Sequence, residues 1–208
     1  MARSGRLRVI AGSAGGRRLV APAGADARPT TDRVKESVFA ALGDDRLRDA
    51  AVLDLYAGSG ALAIEALSRG ATGAVLVDRD RAALHAIERN LDTTGLADRA
   101  RVERGEVARF VRRDPPAEAP FDVVLVDPPY DLPAAELEGV LARLALPGWL
   151  ASGATVVVER GARDARAELP EGWATTWERG YGDTLVVVAT AHDPTPDDPT
   201  PDDPTPDD

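Results

Sequence analysis

Short apolar runs rich in valine and leucine recur along the chain, and each stops at an acid, a glycine or a proline. Val52 to Tyr56, Ala74 to Asp78, Phe121 to Asp127 and Ala154 to Glu159 are of this kind. Runs that are apolar without alternation read as strands buried on both faces, as inside a parallel sheet. Between them the apolar positions shift to helical spacing. Val34, Val38, Phe39 and Leu42 form one such stripe; Leu84, Ile87 and Leu91 form another, in a helix from Arg79 to Leu91. Ala61 through Arg69 and Pro133 through Leu146 also read as helices, and Gly105-Glu106-Val107 opens one that reaches Phe110 and Val111. Arg101 to Glu103 is a short strand, and Ala174–Glu178 and Thr184–Ala189 are the last two. Strands alternating with helices predict an α/β domain around a largely parallel sheet. Spacing does not fix the order of the last three strands.

The run from Phe121 ends in Asp127-Pro128-Pro129-Tyr130. Two prolines have no N–H to continue a ladder or a helix, so these four residues form a rigid loop at a strand's carboxyl end. Open α/β sheets keep their ligand crevice at that end. The Asp127 carboxylate and the Asp127 and Pro128 carbonyls are acceptors, and Tyr130 offers a stacking face. A flat ring bearing an exocyclic amine fits this set. Its nitrogen lone pair is delocalised and poorly nucleophilic. Accepting both N–H hydrogens draws the pair out of conjugation and aims it, which is catalysis by positioning and preorganised dipoles. The structural alternative is an Asp that caps the next helix. Tyr130 and a second motif weigh against it.

That second motif is Tyr56-Ala57-Gly58-Ser59-Gly60, between a strand and a helix. Gly58, Gly60 and Ala63 satisfy the nucleotide-binding pattern G-x-G-x-x-G/A, and Asp78 ends the next strand, where a carboxylate grips ribose hydroxyls. Asp54, just before the turn, places negative charge near the ligand. That suits the amine and sulfonium of S-adenosylmethionine better than the pyrophosphate of a dinucleotide.

Composition narrows the chemistry. With no cysteine and only His85 and His192 in 208 residues, thiolate metal sites, disulfides and Ser-His-Asp triads are set aside, and no metal site is expected. No run approaches a membrane span, and the first residues lack the apolar stretch of a signal peptide, so a soluble cytoplasmic protein is expected. The net charge of −10 is unevenly spread. The tail from Asp193 repeats Asp-Pro-Thr-Pro-Asp, holds seven acids and no base, and leaves −3 for the rest. Residues 1–35 hold eight bases against two acids. Three regions follow: a basic arm over residues 1–30 with a β-hairpin across its Gly-rich turn, a body over 31–191, and a disordered acidic tail over 192–208. Arg6, Arg8, Arg17 and Arg18 are placed to meet RNA phosphates without reading sequence, with Arg28 and Arg33 beside them.

Three segments together resemble the RsmD family, bacterial methyltransferases that modify a guanine N2 in 16S ribosomal RNA. They are Arg8-Val-Ile-Ala-Gly with Arg28-Pro-Thr-Thr-Asp-Arg-Val-Lys-Glu36, Leu53-Asp-Leu-Tyr-Ala-Gly-Ser-Gly-Ala-Leu62, and Val126-Asp-Pro-Pro-Tyr130. The match covers about residues 6–190, and the Arg-Pro-Thr-Thr-Asp-Arg-Val stretch is its most specific part. The resemblance implies a Rossmann-like, seven-stranded methyltransferase fold, S-adenosylmethionine as donor and 16S rRNA as partner. The expected substrate is the small ribosomal subunit or its assembly intermediate, and the expected state a monomer. By it, Asp54, Gly58, Gly60 and Asp78 hold the cofactor, with Tyr56, Ala57 and Arg79 in the same loops. Thr31 closes the methionine end, while Asp127, Pro128, Pro129 and Tyr130 hold a flipped guanine. Glu106 stands where members often carry Asp or Asn, and its contact with adenine is left open against a plain helix-start role. Competing readings are a DNA or other RNA amine methyltransferase, a nicotinamide oxidoreductase, and a non-catalytic RNA-binding assembly factor.

Overall fold

The computed structural model describes residues 7–24, 32–162, 164 and 167–191. Arg6, Arg28, Thr31 and the acidic tail lie outside these residues. The elements in chain order are α1 (Asp32–Leu42), β1 (Ala51–Leu55), α2 (Ala61–Ser68), β2 (Gly73–Asp78), α3 (Arg81–Thr94), β3 (Ala100–Arg104) and α4 (Val107–Phe110). They continue with β4 (Phe121–Val126), α5 (Ala134–Leu144), β5 (Leu150–Gly161), β6 (Trp173–Tyr181) and β7 (Thr184–Ala191).

One seven-stranded sheet has the order β3-β2-β1-β4-β5-β7-β6. The first five strands are parallel, while β7 runs antiparallel between β5 and β6. A dinucleotide-binding sheet ends its order with parallel strands 4-5-6; here a reversed strand is wedged in.

Successive residues of each central strand enter opposite cores. Val52, Leu76, Leu125 and Val157 pack with α1, α2 and α3. Leu53, Val75, Val124 and Val156 pack with Phe110 of α4 and Leu137, Leu141 and Leu144 of α5. Both faces are covered, which is why these strands carry no polar alternation. Helix α3 begins two residues later than the spacing suggests, because the Asp80 carboxylate accepts from the Ala82 and Ala83 amides and caps it there. It ends at Gly95, in the left-handed region at φ 71°.

The amino-terminal segment 7–24 lies on α2. Its two halves pair antiparallel through a single bridge, Arg8 with Arg18, with Val9 N–H donating to Arg17 O and Leu19 N–H to Leu7 O. The expected hairpin is thus only one bridge long, because further backbone bonds go to α2 instead. Glu65 accepts from the Ile10 and Ala11 amides at 2.7 and 3.0 Å, and Ser68 Oγ from Ala14 at 2.9 Å. At Gly12 a Cβ would sit 1.9 Å from Ser68 O, so only glycine lets the segment lie this close. Val9, Ala14 and Leu19 are buried in the same core as α1 and α2.

Candidate active site

The site begins with strand register. Leu55 of β1 pairs with Val77 of β2 on one side and Val126 of β4 on the other. The next residues along are Tyr56, Asp78 and Asp127, so three strands deliver them side by side at the carboxyl edge. Backbone bonds extend the ladders one step further: Ala57 N–H donates to Val77 O, and Asp127 N–H to Leu55 O. β1 lies where the chain's connections diverge to opposite sides of the sheet, the place open α/β sheets bind ligands.

Local chemistry shapes the turn between β1 and α2. Gly60, at φ 73°, precedes α2, and a Cβ there would press on Leu76 and Ile87 at 3.0 and 3.3 Å. The Asp78 carboxylate locks the turn to β2: Oδ2 accepts from Gly58 N–H at 2.8 Å and Oδ1 from Asp80 N–H at 2.9 Å. Each oxygen keeps further acceptor capacity. Tyr56 occupies the left-handed region at φ 63°, which a bulky residue rarely adopts and which costs about 1–3 kcal/mol. Its hydroxyl is buried with no partner among the described residues. Burial, with the Glu136 carboxylate adding and Arg79 opposing, pushes its pKa up to about 12. Tyr56 is therefore a neutral wall, not a base.

A cleft of about 840 Å³ opens above this edge. Tyr56, Gly58, Asp78, Arg79, Glu106, Asp127, Pro128 and Pro129, all singled out from the sequence, line it. Asp54, Ala57, Gly60 and Tyr130 do not. Asp54 is 1% exposed and sits behind the turn, where its Oδ2 accepts from the Ala63 amide of α2 at 3.1 Å. Burial pushes its pKa up to about 8; the Ala63 bond opposes this, and the Asp127 and Asp78 charges add to it. Glu106 projects into solvent and faces Arg79 at 3.6 Å, so that pair rims the cleft beyond β3. Tyr130 is 42% exposed, one residue beyond the lining prolines. The prolines hold the loop open, and Leu132 N–H donates to Pro129 O to turn it toward α5.

Other lining residues escaped the sequence reading. Pro22, Ala23 and Gly24 close one side, and Asp80, Asp131 and Glu136 add charge. Six carboxylates and one guanidinium thus line the cleft among the described residues. This lining discriminates between cofactors. A pyrophosphate would face those carboxylates, and part of the α2 amino terminus it needs is already bonded to Asp54. The amine and sulfonium of S-adenosylmethionine, by contrast, fit acidic walls, and Asp78 has acceptors left for ribose hydroxyls. Among the described residues no group of His, Asp or Glu is arranged to hold a metal ion.

The chain is similar to known proteins over most of its length. The family described as "Conserved hypothetical protein 95" matches residues 7–190. "Ribosomal RNA small subunit methyltransferase D" of Escherichia coli K12 is 38% identical over 179 residues, spanning 86% of this chain and 87% of that protein. "Putative rRNA methyltransferase YlbH" of Bacillus subtilis is 40% identical over 187 residues, spanning 88% and 97%. The solved Escherichia coli structure "Putative methyltransferase yhhF" superposes with a TM-score of 0.80 at 35% identity, covering 91% of this chain and all of the other. The chain belongs to the RsmD family of rRNA methyltransferases. Its fold is that of the S-adenosylmethionine-dependent methyltransferases.

An RsmD-family enzyme must also hold RNA, and the arm's arginines are deployed unequally. Arg8 Nε pairs with Asp32 Oδ2 at 3.2 Å, and Arg17 Nη1 donates to Thr93 O at 2.7 Å, both on the exposed surface. Arg18 and Arg33 are exposed. Lys35, the chain's one lysine, is fully buried beside Glu65 at 3.7 Å and donates to Arg8 O. The family-specific stretch before Glu36 therefore fastens the arm to the body through Lys35. Among the described residues no helix is long and apolar enough to cross a membrane.

Proposed function

We propose that this chain transfers a methyl group from S-adenosylmethionine to the exocyclic N2 of a guanine in 16S rRNA. It acts as a cytoplasmic monomer on the small ribosomal subunit or an assembly intermediate. The observation that carries this reading is the Asp127–Tyr130 loop, register-locked to the acidic cleft, in a chain 38% identical to a small-subunit rRNA methyltransferase.

Asp78 and the Gly58 turn hold the cofactor's ribose end, with Arg79 and Glu106 at the rim beyond it. Asp127 lines the same cleft, at the end of β4 on the other side of β1 from Asp78. When bound, S-adenosylmethionine supplies an electrophilic methyl group on a sulfonium. The target base leaves its stack at a cost of a few kcal/mol, because N2 is otherwise inaccessible. Stacking on Tyr130 offsets about 1–3 kcal/mol of this. The Asp127 carboxylate and the Asp127 and Pro128 carbonyls accept the N2 hydrogens, turning the lone pair toward the methyl carbon. N2, once methylated, releases one proton to the Asp127 carboxylate and from there to water. No strong base is needed. The acidic cleft repels phosphates, so only the base enters it, while Arg8, Arg17, Arg18 and Arg33 hold the backbone outside.

The test is transfer of labelled methyl to unmodified small subunits, free 16S rRNA and DNA, with the modified nucleosides resolved by mass. N2-methylguanosine on the ribosomal substrates supports the reading. Label in another nucleoside keeps the reaction class and discards the target. Bound cofactor without any label points to a non-catalytic assembly factor.

A further inference from the structure

Helix α3 turns a buried stripe toward the sheet: Ala83, Ile87, Leu91 and, among them, Asn90, which is 1% exposed. A side-chain amide is not buried in such a stripe unless its bonds are met. Those of Asn90 are. Its Oδ1 accepts from Val20 N–H at 2.8 Å, and its Nδ2 donates to Val20 O and to Ser59 O, each at 2.9 Å. The side chain acts on Val20 as a neighbouring strand would, taking both backbone groups of one residue.

Each partner leads to the cleft. Ser59 is the residue between Gly58 and Gly60 in the turn below it. Val20 stands two residues before Pro22, Ala23 and Gly24, which form one of its walls. Among the described residues, nothing but Asn90 hydrogen-bonds the stretch from Val20 to Gly24 to the body. One buried amide therefore fixes the distance between a wall of the cleft and its floor.

We propose that Asn90 is a positioning residue of the cofactor site, holding residues 20–24 as a strap across the cleft and so setting how tightly the cofactor is retained. This rests on the cleft being the S-adenosylmethionine site. It also places Arg17 and Arg18, separated from Val20 only by the buried Leu19, next to the strap. RNA on the arm and cofactor in the cleft then bias one segment, and each raises the other's affinity by the same factor.

The experiment measures S-adenosylhomocysteine binding by calorimetry on the full chain, together with hydrogen exchange of the Val20, Ala21, Ala23 and Gly24 amides. Asn90→Ala is expected to weaken binding about tenfold and to raise KM for S-adenosylmethionine by the same factor, with kcat changed less than about twofold. The strap amides should exchange faster. Asn90→Asp keeps the acceptor for Val20 N–H but loses both donors, and should match Asn90→Ala. Pro22→Gly, at a partly exposed position outside the core, should weaken binding a few-fold by loosening the wall alone. A folded Asn90→Ala whose strap exchanges faster while binding is unchanged overturns the proposal. If Asn90→Ala does not fold, unchanged binding by Pro22→Gly overturns it instead. Asp78→Asn separates the two ideas, since Asp78 lines the cleft and does not bond the strap. Should it lose binding while the strap variants keep it, the strap idea fails and the site stands; should it also keep binding, the cleft assignment itself fails.

Discussion

The floor and the strap of the cleft are built by opposite means. Tyr56, Asp78 and Asp127 stand together because Leu55, Val77 and Val126 are neighbours in one sheet, and every ladder bond behind them helps hold that register. The strap and the arm before it have one isolated bridge of their own. They are held by single side chains reaching across more than fifty residues: Glu65, Ser68 and Asn90. A ladder spreads its load over many equivalent bonds, so no one residue is decisive for the floor's position. The arm concentrates its load on a few buried groups, so each of them is. The floor is therefore fixed by many equivalent bonds and the arm by a few buried groups.

The largest expected effect lies on the floor. Asp127→Ala should lower kcat about a thousandfold while S-adenosylhomocysteine affinity stays within about threefold, because the acceptor for N2 is removed and the sheet is not. Single-turnover transfer alongside calorimetry checks this, and near-normal turnover would remove Asp127 from the reaction.

Next comes the arm's anchor. Glu65→Gln keeps the shape but leaves the buried Lys35 ammonium and the Arg69 guanidinium without their shared counter-charge. Burial already lowers the Lys35 pKa, with Glu65 and Asp32 opposing. Breaking such a pair costs about 3–5 kcal/mol, or about 6–20 °C in Tm for a chain of this length. Thermal unfolding measures it. A loss under a degree would show that the arm is not held as a few-bond structure.

A smaller effect separates grip from chemistry. Changing Arg8, Arg17 and Arg18 together to Gln should flatten the slope of log K for RNA against log salt by up to about 2, at about 0.7 for each phosphate no longer neutralised. The slope comes from filter binding across a salt series. An unchanged slope moves the RNA interface elsewhere.

The smallest effect probes the floor's support. The Asp54 pKa, pushed up to about 8 from 3.8, means that the folded state holds a proton the unfolded chain releases. This contribution to stability is complete below the unfolded value and fades as pH rises toward about 8. Asp54→Asn, whose amide oxygen still accepts from Ala63, should lose that decline. Relative to the unsubstituted chain it should gain at least about 1 kcal/mol, about 2–4 °C in Tm, at pH 8 over pH 5. Parallel pH profiles of Tm would count against this burial argument.

Much of the floor is legible in the sequence. A valine run ending in Asp-Pro-Pro-Tyr and a strand–glycine turn–helix followed by an acid are local signals, and a parallel sheet brings such strand ends to one edge. Two regions differ in substance from what their residues suggest. Asp54 reads as a charge beside the cofactor, yet it is sealed behind the turn on the Ala63 amide, while Asp131 and Glu136 carry charge on the cleft wall. The arm reads as a free basic hairpin, yet it is a cover seated on α2. One clue to the cover is present: the helix from Ala61 to Ser68 is apolar nearly all round and needs partners on both sides. Asn90, polar at a stripe position of α3, is another.

By itself, the sequence determined the α/β class, the loops that meet at the carboxyl edge, and the pairing of a glycine turn with an Asp-Pro-Pro-Tyr loop, because each depends on residues adjacent in the chain. The tertiary structure alone decided that β7 is reversed between β5 and β6, that Asp54 is buried on the Ala63 amide outside the cleft lining, and that Asn90 joins Val20 to Ser59. Those outcomes depend on which distant groups satisfy one another once water is excluded, and spacing along the chain carries no record of that choice.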